Sequence, residues 1–350
     1  MSTEAEAFAR RVATGGVRLD LGGNADRDLS YLGAPAIALD PSWTVLGACR
    51  RQAPGSLPVR AHVEHLPLAG RSVGGAWSFT GHLDVPHHRL PLALWDLHRA
   101  LSIGAPIELR FRARHRNGER VAGETGQFSA GLSAPGLMDR VVGAGFEVEK
   151  GDLVVSGDEL LVRAVRGRTL ADTVSDGMRI LVCGVNASFY SADAGIGYAR
   201  PGNRFWPAAL AADLVDRDRD PRAALVARGM GMTDFVKRPT RTAAEVTVDE
   251  YRHGYARLER LVEWLLPGAV CFVGLSGWRA AVNPKAVAGI QPERVGGRPA
   301  YVMPSTSGLN ARTSLGDLTE HLVAAAELSD SAEGVCAATD APVDQAPEIP

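Results

Sequence analysis

Two successive rounds of alternating strand-like and helix-like segments constrain the fold of this chain more than any other feature. From residue 17, apolar runs such as VRLDLGG and PAIALDPS alternate with helix-like stretches such as LPLALWDLHRAL. The rhythm restarts at RILVCGVN and continues through AVCFVGLSGWRAAV and PAYVMPSTSGLNART. Strands that alternate with helices predict parallel sheets covered on both faces. We therefore expect an α/β protein of two domains, each a three-layer α/β/α arrangement with a mainly parallel central sheet.

The domain limits are predicted from changes in composition along the 350 residues, a length that suits two domains. RGRTLADTVSDGM is polar and rich in turn-forming residues, so we place the boundary near residues 168–177. The first domain then covers residues 1–168 and closes with an antiparallel hairpin, and the second covers 177–328. The end, 329–350, is acidic and contains proline, which predicts a disordered tail.

Composition excludes several classes of protein. No apolar run approaches the roughly eighteen residues of a membrane-spanning helix, and the N-terminal stretch lacks a signal-peptide core, so we expect a cytoplasmic protein. The four cysteines lack metal-ligand spacing, and Cys183 and Cys271 lie in apolar runs typical of a core. The formal net charge of −2 is not that of a strongly basic nucleic-acid binder, so any phosphate contact would come from a local patch.

Residues at two predicted strand ends suggest a binding site. Asn186 ends the run ILVCGVN and Pro304 ends the run AYVMP, and functional residues cluster at the carboxyl ends of parallel strands. An uncharged amide can hold a water in a reaction whose leaving group is an anion. Tyr198 and Phe189 offer π-faces for a flat ligand, and Leu309 in SGLN could act as an apolar wedge. A capping Asn, a core tyrosine and an ordinary loop would explain the same residues.

The stretch GVNASFYSADAGIGYARPGNRFW resembles the first motif of the mismatch-specific uracil/thymine DNA glycosylases, which reads approximately G-I/V-N-P-G-x2-S-A-x2-G-x3-A-x-P-x-N-R-F-W. PSTSGL resembles their second motif, P-N-P-S-G-L, and GMTDFVKRPT resembles the segment G-V/I-T-K/N-L/F-V-x-R-P-T between them. The resemblance covers about residues 177–328 in the same order and spacing. It implies the uracil-DNA glycosylase fold.

The resemblance also implies roles for single residues. Asn186 would position the water that attacks the sugar carbon, and Tyr198 would stack on a flipped base. Ser191 would line the base near its C5 edge, and Phe189 would add a base contact. Other roles are assigned to the second motif and its surroundings: a loop that enters the duplex and faces the orphaned guanine (Ser307, Gly308, Leu309, Asn310), a phosphate contact (Arg312), and support for a helix start (Asn203, Arg204).

Three departures from the family pattern bear on substrate range and rate. The family's Asn-Pro-Gly is Asn186-Ala187-Ser188 here, which is predicted to loosen the turn. Its Asn-Pro-Ser is Ser305-Thr306-Ser307, which removes an amide that helps to hold the loop. Asp234 stands where the bacterial mismatch enzymes tend to have lysine.

The first half resembles a class I S-adenosylmethionine-dependent methyltransferase over about residues 15–165, with a degenerate cofactor loop. The resemblance would place the cofactor against four residues: Asp20, Gly22, Gly23 and Asp40. Asn24 and Asp26 replace two glycines of the family's GxGxG loop and obstruct close approach to a cofactor. Whether this half binds S-adenosylmethionine or instead docks DNA or a partner is left open.

Two further stretches of the first half have simpler interpretations. The basic run RFRARHRNGER at 110–120 is typical of a solvated hairpin as well as of a DNA contact. Asp84, His87 and His88 in GHLDVPHH have no second ligand cluster elsewhere, so we expect no metal site.

Together these observations predict a monomeric mismatch-specific DNA glycosylase in base excision repair, associated with the nucleoid when acting. It would hydrolyse the N-glycosidic bond of uracil, and less readily thymine, opposite guanine in double-stranded DNA with G·U or G·T mismatches. The glycosylase would need no cofactor or metal for this chemistry. Two alternatives remain: an active methyltransferase in the first half, and a damaged-DNA-binding protein with weak catalysis.

Overall fold

The computed structural model describes residues 2–22, 29–78, 85–86, 89–112, 121–122, 128–129, 133–149, 151–157 and 159–339. Several predicted features lie outside these ranges: Gly23, Asn24 and Asp26 of the cofactor loop, Asp84, His87 and His88, and most of the basic run. The chain forms two compact units. The first comprises residues 1–175, 186–197 and 237–242, and the second comprises residues 176–185, 198–236 and 243–350.

The first half of the chain contains a sheet of eight strands and five helices, besides a separate two-stranded ribbon. In chain order the elements are α1 (Ser2–Arg11), β1 (Arg18–Leu21), α2 (Leu29–Leu32), β2 (Ala36–Asp40), α3 (Trp43–Gln52), β3 (Leu57–Arg60), β4 (Gly75–Ser78), α4 (Leu90–Ala100), β5 (Pro106–Arg112), β6 (Val121–Ala122), β7 (Phe128–Ser129), α5 (Ala134–Gly143), β8 (Phe146–Glu147), β9 (Leu153–Ser156) and β10 (Glu159–Arg166), counted among the described residues.

Strand order in the first sheet is β3-β2-β1-β4-β5-β10-β8, and β9 pairs with β10. The five strands from β3 to β5 run parallel to their neighbours. Strand β10 is antiparallel to β5, β8 and β9. The predicted antiparallel hairpin at the end of the first half is therefore confirmed as the β9–β10 pair.

Apolar residues on both faces of the first sheet build two separate cores. Ile37 and Leu39 of β2 pack into a cluster with residues of α4 and α5. Their neighbours Ala36 and Ala38 belong to a second cluster with residues of α1, α2 and α3. Because side chains of a strand alternate between its faces, the two clusters lie on opposite sides of the sheet. The three-layer arrangement predicted for the first half is confirmed.

The second half forms a five-stranded sheet with its own helices. Its described elements are β11 (Ile180–Ser188), α6 (Phe189–Ala194), α7 (Phe205–Ala211), α8 (Pro221–Arg228), β12 (Met230–Thr240), a 3-10 turn (Ala243–Glu245), α9 (Val248–Leu265), β13 (Ala269–Val273), α10 (Leu275–Ala281), β14 (Gly289–Ile290), β15 (Ala300–Met303) and α11 (Leu315–Thr339).

Strand order in the second sheet is β12-β11-β13-β15-β14. Strands β11, β13 and β15 are parallel, and β14 is antiparallel to β15. Every residue of β13 and β15 is buried, as expected for central parallel strands. Helices α10 and α11 pack against this part of the sheet. The predicted fold class, two α/β regions with mostly parallel sheets, is confirmed.

The predicted end of the strand that carries Asn186 is wrong by two residues. Strand β11 continues through Asn186 to Ser188. The Ser188 hydroxyl accepts a hydrogen bond from the Ser191 amide at 3.2 Å and thereby caps α6. The departure from Asn-Pro-Gly therefore produces an extended strand and a serine cap.

Part of the predicted disordered tail is helical. Helix α11 ends at Thr339, so residues 329–339 belong to it, and residues 340–350 lie outside the described ranges. Arg179 forms two hydrogen bonds of 2.7 Å with the Asp330 carboxylate, and the Ser329 hydroxyl donates to the Arg179 carbonyl. These tertiary contacts hold a sequence whose composition alone predicts disorder.

Three cysteines in the described ranges are buried and form no disulfide there: Cys49, Cys183 and Cys271. The predicted core positions of Cys183 and Cys271 are confirmed. Among the described residues, no helix has both the length and the apolar character needed to cross a membrane.

Candidate active site

The side-chain amide of Asn186 is held in one orientation by two acceptors from β12 and its end. Its Nδ2 donates to the Arg238 carbonyl at 3.0 Å and to Thr240 Oγ1 at 2.7 Å. Thr240 Oγ1 donates its own hydrogen to the Thr242 carbonyl at 2.8 Å, so it can only accept from Asn186. The Arg238 carbonyl and the Thr240 hydroxyl, whose hydrogen is already donated to Thr242, both require a hydrogen-bond donor. The NH2 group must therefore face β12, and Oδ1 points away from these two partners.

The oxygen of the same amide is available to a ligand. Within the described ranges Asn186 donates through Nδ2, and no hydrogen bond reaches its Oδ1. An amide oxygen accepts a hydrogen bond from water but is too weak a base to remove its proton. The arrangement can orient a water and cannot activate it by deprotonation.

Helix α6 carries two of the predicted base-binding residues. Ser191 is buried, and its hydroxyl lies 3.3 Å from the Ser188 hydroxyl. The Arg168 guanidinium covers one face of the Phe189 ring, with its central carbon 4.9 Å from the ring centroid. Arg168 also binds the Asp193 carboxylate through Nε at 2.8 Å and Nη2 at 2.5 Å, which lowers the pKa of Asp193. Phe189 can therefore offer a ligand only its other face.

Tyr198 is stacked on Phe205, with ring centroids 4.2 Å apart and an angle of 21° between the planes. Its hydroxyl is buried and makes no hydrogen bond among the described residues. Burial raises the Tyr198 pKa well above 10, and the nearby Asp234 charge adds to the shift. The residue as a whole is only half-buried. Phe205 thus supports one ring face of a tyrosine that stays neutral.

Gly184 allows the hydroxyl of Tyr198 and the carboxylate of Asp234 to approach the strand. A Cβ at position 184 would lie 2.4 Å from Asp234 Oδ1 and 2.9 Å from the Tyr198 hydroxyl. Both distances are shorter than ordinary van der Waals contact, so a side chain at 184 would displace both groups. Asp234, the departure from the bacterial pattern, is therefore directed toward β11 at Gly184.

One arginine, Arg204, binds several backbone carbonyls of the loop after β15. The Arg204 guanidinium donates to the carbonyls of Ser307 at 3.2 Å and Asn310 at 2.6 Å, and also to that of Thr313. The Arg204 backbone amide donates to the Thr306 carbonyl at 2.9 Å. The sequence assigned both Asn203 and Arg204 to the start of a helix, and Arg204 makes no capping bond with its side chain there. Asn203 has that task, because its Oδ1 accepts from the Phe205 amide at 2.9 Å.

Asn310 helps to hold the same loop. Its Nδ2 donates to the Ser305 carbonyl at 2.9 Å and to Thr313 Oγ1 at 3.1 Å, while its Oδ1 accepts from the Arg312 amide at 3.3 Å. This asparagine supplies the amide that is missing from the Ser305-Thr306-Ser307 segment. The Asn310 amide is thus engaged inside the loop that is predicted to face the orphaned guanine.

The tip of the loop is exposed. Leu309 has 88% of its surface accessible, and Arg312 is also exposed. A Cβ at position 308 would lie 2.7 Å from the Gly202 carbonyl oxygen, so only glycine fits this close approach. The loop therefore presents an apolar side chain to solvent from a backbone fixed by Arg204 and Asn310.

Three of the four predicted cofactor-binding residues of the first half are described. Asp20 is 6% exposed within β1, and the Gly22 amide donates to the Leu39 carbonyl at 3.0 Å. Asp40 is half-buried at the end of β2 and accepts from the Ser42 amide at 2.7 Å. Burial raises the Asp40 pKa, although Ser42 and His62 oppose the shift. Of the two carboxylates, Asp40 is the better placed to meet a ribose hydroxyl.

The described part of the chain contains no group of three or more His, Cys, Asp and Glu side chains that could hold a metal ion. Sequence reasoning named Asn186 but missed Thr240, which shares its hydrogen-bonding network. The available signal was the segment VKRPT, which ends with that threonine.

Comparisons with solved structures return proteins that match part of the chain. It is similar to the [4+2]-cyclase SpnF, with 18% identity, 42% of this chain and 57% of that chain covered, and a TM-score of 0.36. A putative methyltransferase from Bacillus halodurans C-125 has 14% identity, coverages of 47% and 98%, and a TM-score of 0.39. An S-adenosylmethionine-dependent methyltransferase from Mesorhizobium loti has 17% identity, coverages of 47% and 96%, and a TM-score of 0.37.

A comparison with protein families addresses the region that contains Asn186, Tyr198 and the loop of Leu309. The model of the family described as "Uracil DNA glycosylase superfamily" matches residues 171–328, which include both motifs found in the sequence. Residues 171–328, less than half of the chain, are thus similar to the uracil DNA glycosylase superfamily.

Proposed function

We propose that this protein is a DNA glycosylase that hydrolyses the N-glycosidic bond of uracil, and more slowly of thymine, opposite guanine. One observation carries the proposal: the Asn186 amide is locked with Nδ2 toward Arg238 and Thr240, and its Oδ1 is left to orient a water. This amide lies within the segment matched to the uracil DNA glycosylase superfamily.

In the proposed reaction the bond between C1′ of the sugar and the base nitrogen breaks, and the base leaves as an anion. Asn186 Oδ1 accepts a hydrogen bond from the water whose oxygen forms the new bond to C1′. One proton of that water ends on the departing base, which yields an abasic site and the free base. Since an amide cannot take the proton, stabilisation of the departing anion must supply most of the acceleration. Turnover is therefore expected to be slow.

Recognition of the base is assigned to aromatic stacking and to the exposed loop. Tyr198, supported from behind by Phe205, offers a neutral ring for a flipped base. Leu309 would fill the gap that the base leaves in the stack. Mispaired bases cost least to unstack, which favours G·U and G·T substrates. Asn310 is assigned to holding the loop, and Arg312 to a phosphate.

The test is base release from labelled duplexes with one G·U or one G·T pair, measured in single turnover with excess protein and followed by alkaline strand scission. Wild type is compared with Asn186→Ala and with Asn283→Ala. Asn283 is a suitable control because its amide also makes two hydrogen bonds, to Glu293 and from the Lys285 amide. Scission by wild type and Asn283→Ala, with at least a hundredfold loss in Asn186→Ala, would support the proposal. No scission of either duplex by wild type would contradict it.

A second candidate function, methyl transfer by the first half, rests on Asp40 at the end of β2. If the cofactor binds there, Asp40 would hold its ribose hydroxyls, and S-adenosylmethionine would supply the methyl group. Calorimetric titration of wild type and Asp40→Ala with S-adenosylmethionine tests this. Binding that is lost in the variant would support the candidate, and absence of heat with wild type would oppose it.

A third candidate is a protein that binds damaged DNA without cleaving it. It is distinguished by tight mismatch binding without base release, unaffected by Asn186→Ala. The fixed orientation of the Asn186 amide favours the glycosylase, because binding alone needs no oriented water.

A further inference from the structure

The segment 166–172, which overlaps the predicted domain boundary at 168–177, is largely buried and contains several polar residues. Arg166, Thr169 and Asp172 are all buried, and the segment continues directly from β10. Buried polar groups in native proteins have hydrogen-bond partners, so the position of their partners indicates what such a segment holds in place. Some of its partners lie on two stretches of the same compact unit, 186–197 and 237–242, and others include His98, Gly143 and Gly145.

The first contact joins the segment to the end of β12. The Asp172 carboxylate binds Lys237 Nζ at 2.8 Å, and the two side chains are only 5% and 12% exposed. The Thr169 hydroxyl donates to the Lys237 carbonyl. Lys237 directly precedes Arg238, whose carbonyl accepts from Asn186. Removing one partner of a buried ion pair leaves an uncompensated charge, so this contact resists displacement of the strand.

The second contact joins the segment to β11 and α6. Leu170 packs in one cluster with Ala187 and Ala192, and Ala187 directly follows Asn186. Arg168 binds Asp193, and Arg71 donates to the Asp193 carbonyl. The segment therefore touches both sides of the Asn186 hydrogen bonds: the strand that carries the donor and the strand that carries the acceptors.

We propose that the segment 166–172 positions Asn186, with Asp172 and Lys237 as its principal positioning residues. The segment that follows β10 thereby supports the amide that orients water. This inference rests on the proposed glycosylase function. It assigns no chemistry to Asp172, which acts through Lys237 and the Arg238 carbonyl. A misplacement of a reacting group by about 1 Å costs on the order of a hundredfold in rate.

The test compares Asp172→Asn with Glu108→Gln in the full chain. Glu108 is a matched control, since its carboxylate is also buried, pairs with Arg163 at 3.0 Å and belongs to the same unit. We expect Asp172→Asn to lower the single-turnover rate on G·U duplex about tenfold or more, with less than about a twofold change in the Kd for that duplex. Glu108→Gln should leave both within about twofold. Equal losses in the two variants would overturn the inference.

A milder variant covers the case in which Asp172→Asn does not fold. Thr169→Val removes only the hydroxyl that binds the Lys237 carbonyl, and its folding is checked by thermal unfolding. We expect about a threefold lower rate with an unchanged Kd. A folded Thr169→Val whose rate and amide signals equal those of wild type would count against the inference.

A measurement that does not depend on catalysis distinguishes this inference from the proposed function. In protein labelled with 15N-asparagine, the side-chain NH2 signals of Asn186 are identified by their loss in Asn186→Ala. We expect Asp172→Asn to shift these signals and to speed their hydrogen exchange, and Glu108→Gln to leave them unchanged. If these changes occur while wild type releases no base, the positioning stands and the glycosylase fails. If wild type releases base and Asp172→Asn changes neither signal nor rate, the positioning is wrong and the glycosylase stands.

Discussion

Asn186 and Thr240 lie 54 positions apart in the sequence and are joined by a hydrogen bond of 2.7 Å whose direction is fixed by Thr240 itself. Because the Thr240 hydrogen is committed to the Thr242 carbonyl, the threonine acts only as an acceptor for the asparagine. The pair determines which end of the amide meets a ligand.

Thr240→Val should reduce base release about tenfold. Valine keeps the size of the side chain and removes the acceptor, and a hydrogen bond of this kind contributes about 0.5–1.5 kcal/mol. Thr240→Ser retains the hydroxyl and should stay within about twofold of wild type. The measurement is the single-turnover rate on G·U duplex. Equal rates for the valine and serine variants would show that the Thr240 bond does not hold the amide.

Asn186→Asp should lose activity at neutral pH, although a carboxylate is the stronger base. One carboxylate oxygen would replace Nδ2 and face the Arg238 carbonyl and Thr240 Oγ1, which are both acceptors in this network. Two acceptors cannot share a hydrogen bond, so the side chain would turn or Thr240 would give up Thr242. We expect at least a tenfold lower single-turnover rate at pH 7. A faster variant would mean that the site needs a base rather than an oriented water.

Leu309→Ala should weaken base release from duplex DNA without affecting the fold. Because Leu309 is 88% exposed, the melting temperature should change by no more than about 1 °C. We expect about a tenfold lower rate on a G·U pair, and a smaller loss when the uracil lies in an unpaired bulge and is already unstacked. Val287→Ala, a change at an exposed apolar residue of the same unit, is the control. Equal losses on both substrates would argue against a wedge.

His98 should make the protein less stable in mild acid. Burial lowers its pKa from 6.5 to about 3, assisted by the charges of Arg166, Lys237 and Arg71. The unfolded state then takes up a proton that the folded state does not, so stability falls as the pH drops from 6.5 toward 3. Between pH 7 and pH 5 the loss from this group should be on the order of 2 kcal/mol.

Urea unfolding at the two pH values tests the His98 prediction. His98→Gln should show a smaller difference between pH 7 and pH 5 than wild type. Substitution of the exposed His253 by glutamine is the control and should retain the wild-type difference. A His98→Gln protein with an unchanged difference would assign the acid sensitivity to other groups.

Features that depend on local pattern could be predicted from the sequence, and those that depend on distant partners could not. The buried runs of β1, β11, β13 and β15 are apolar enough to predict parallel sheets. The extension of β11 to Ser188 becomes apparent only in the structure, where Ser188 caps α6. The helix that includes Asp330 is bound there by Arg179, a contact across about 150 positions that no periodicity indicates.

The same distinction between local patterns and distant partners applies to the candidate site. Asn186 could be named because its type and its motif are local. The acceptors that orient it come from β12, and the segment that supports them comes from the end of β10. The burial of Asp172 could not be predicted from the sequence, because RGRTLADTVSDGM has the polar composition of an exposed turn. A polar composition therefore indicates an exposed segment only when its polar side chains have no hydrogen-bond or ion-pair partner in the protein interior.

The way in which Arg204 holds the loop of Leu309 has a consequence for substitutions at its tip. Its side-chain hydrogen bonds to the loop go to the carbonyl oxygens of Ser307, Asn310 and Thr313, groups that every amino acid supplies. The bonds from Arg204 therefore do not depend on the identity of Leu309 at the tip of the loop. Under the proposed function, a substitution at position 309 would change the group presented to the duplex, while the backbone that carries it would keep its conformation.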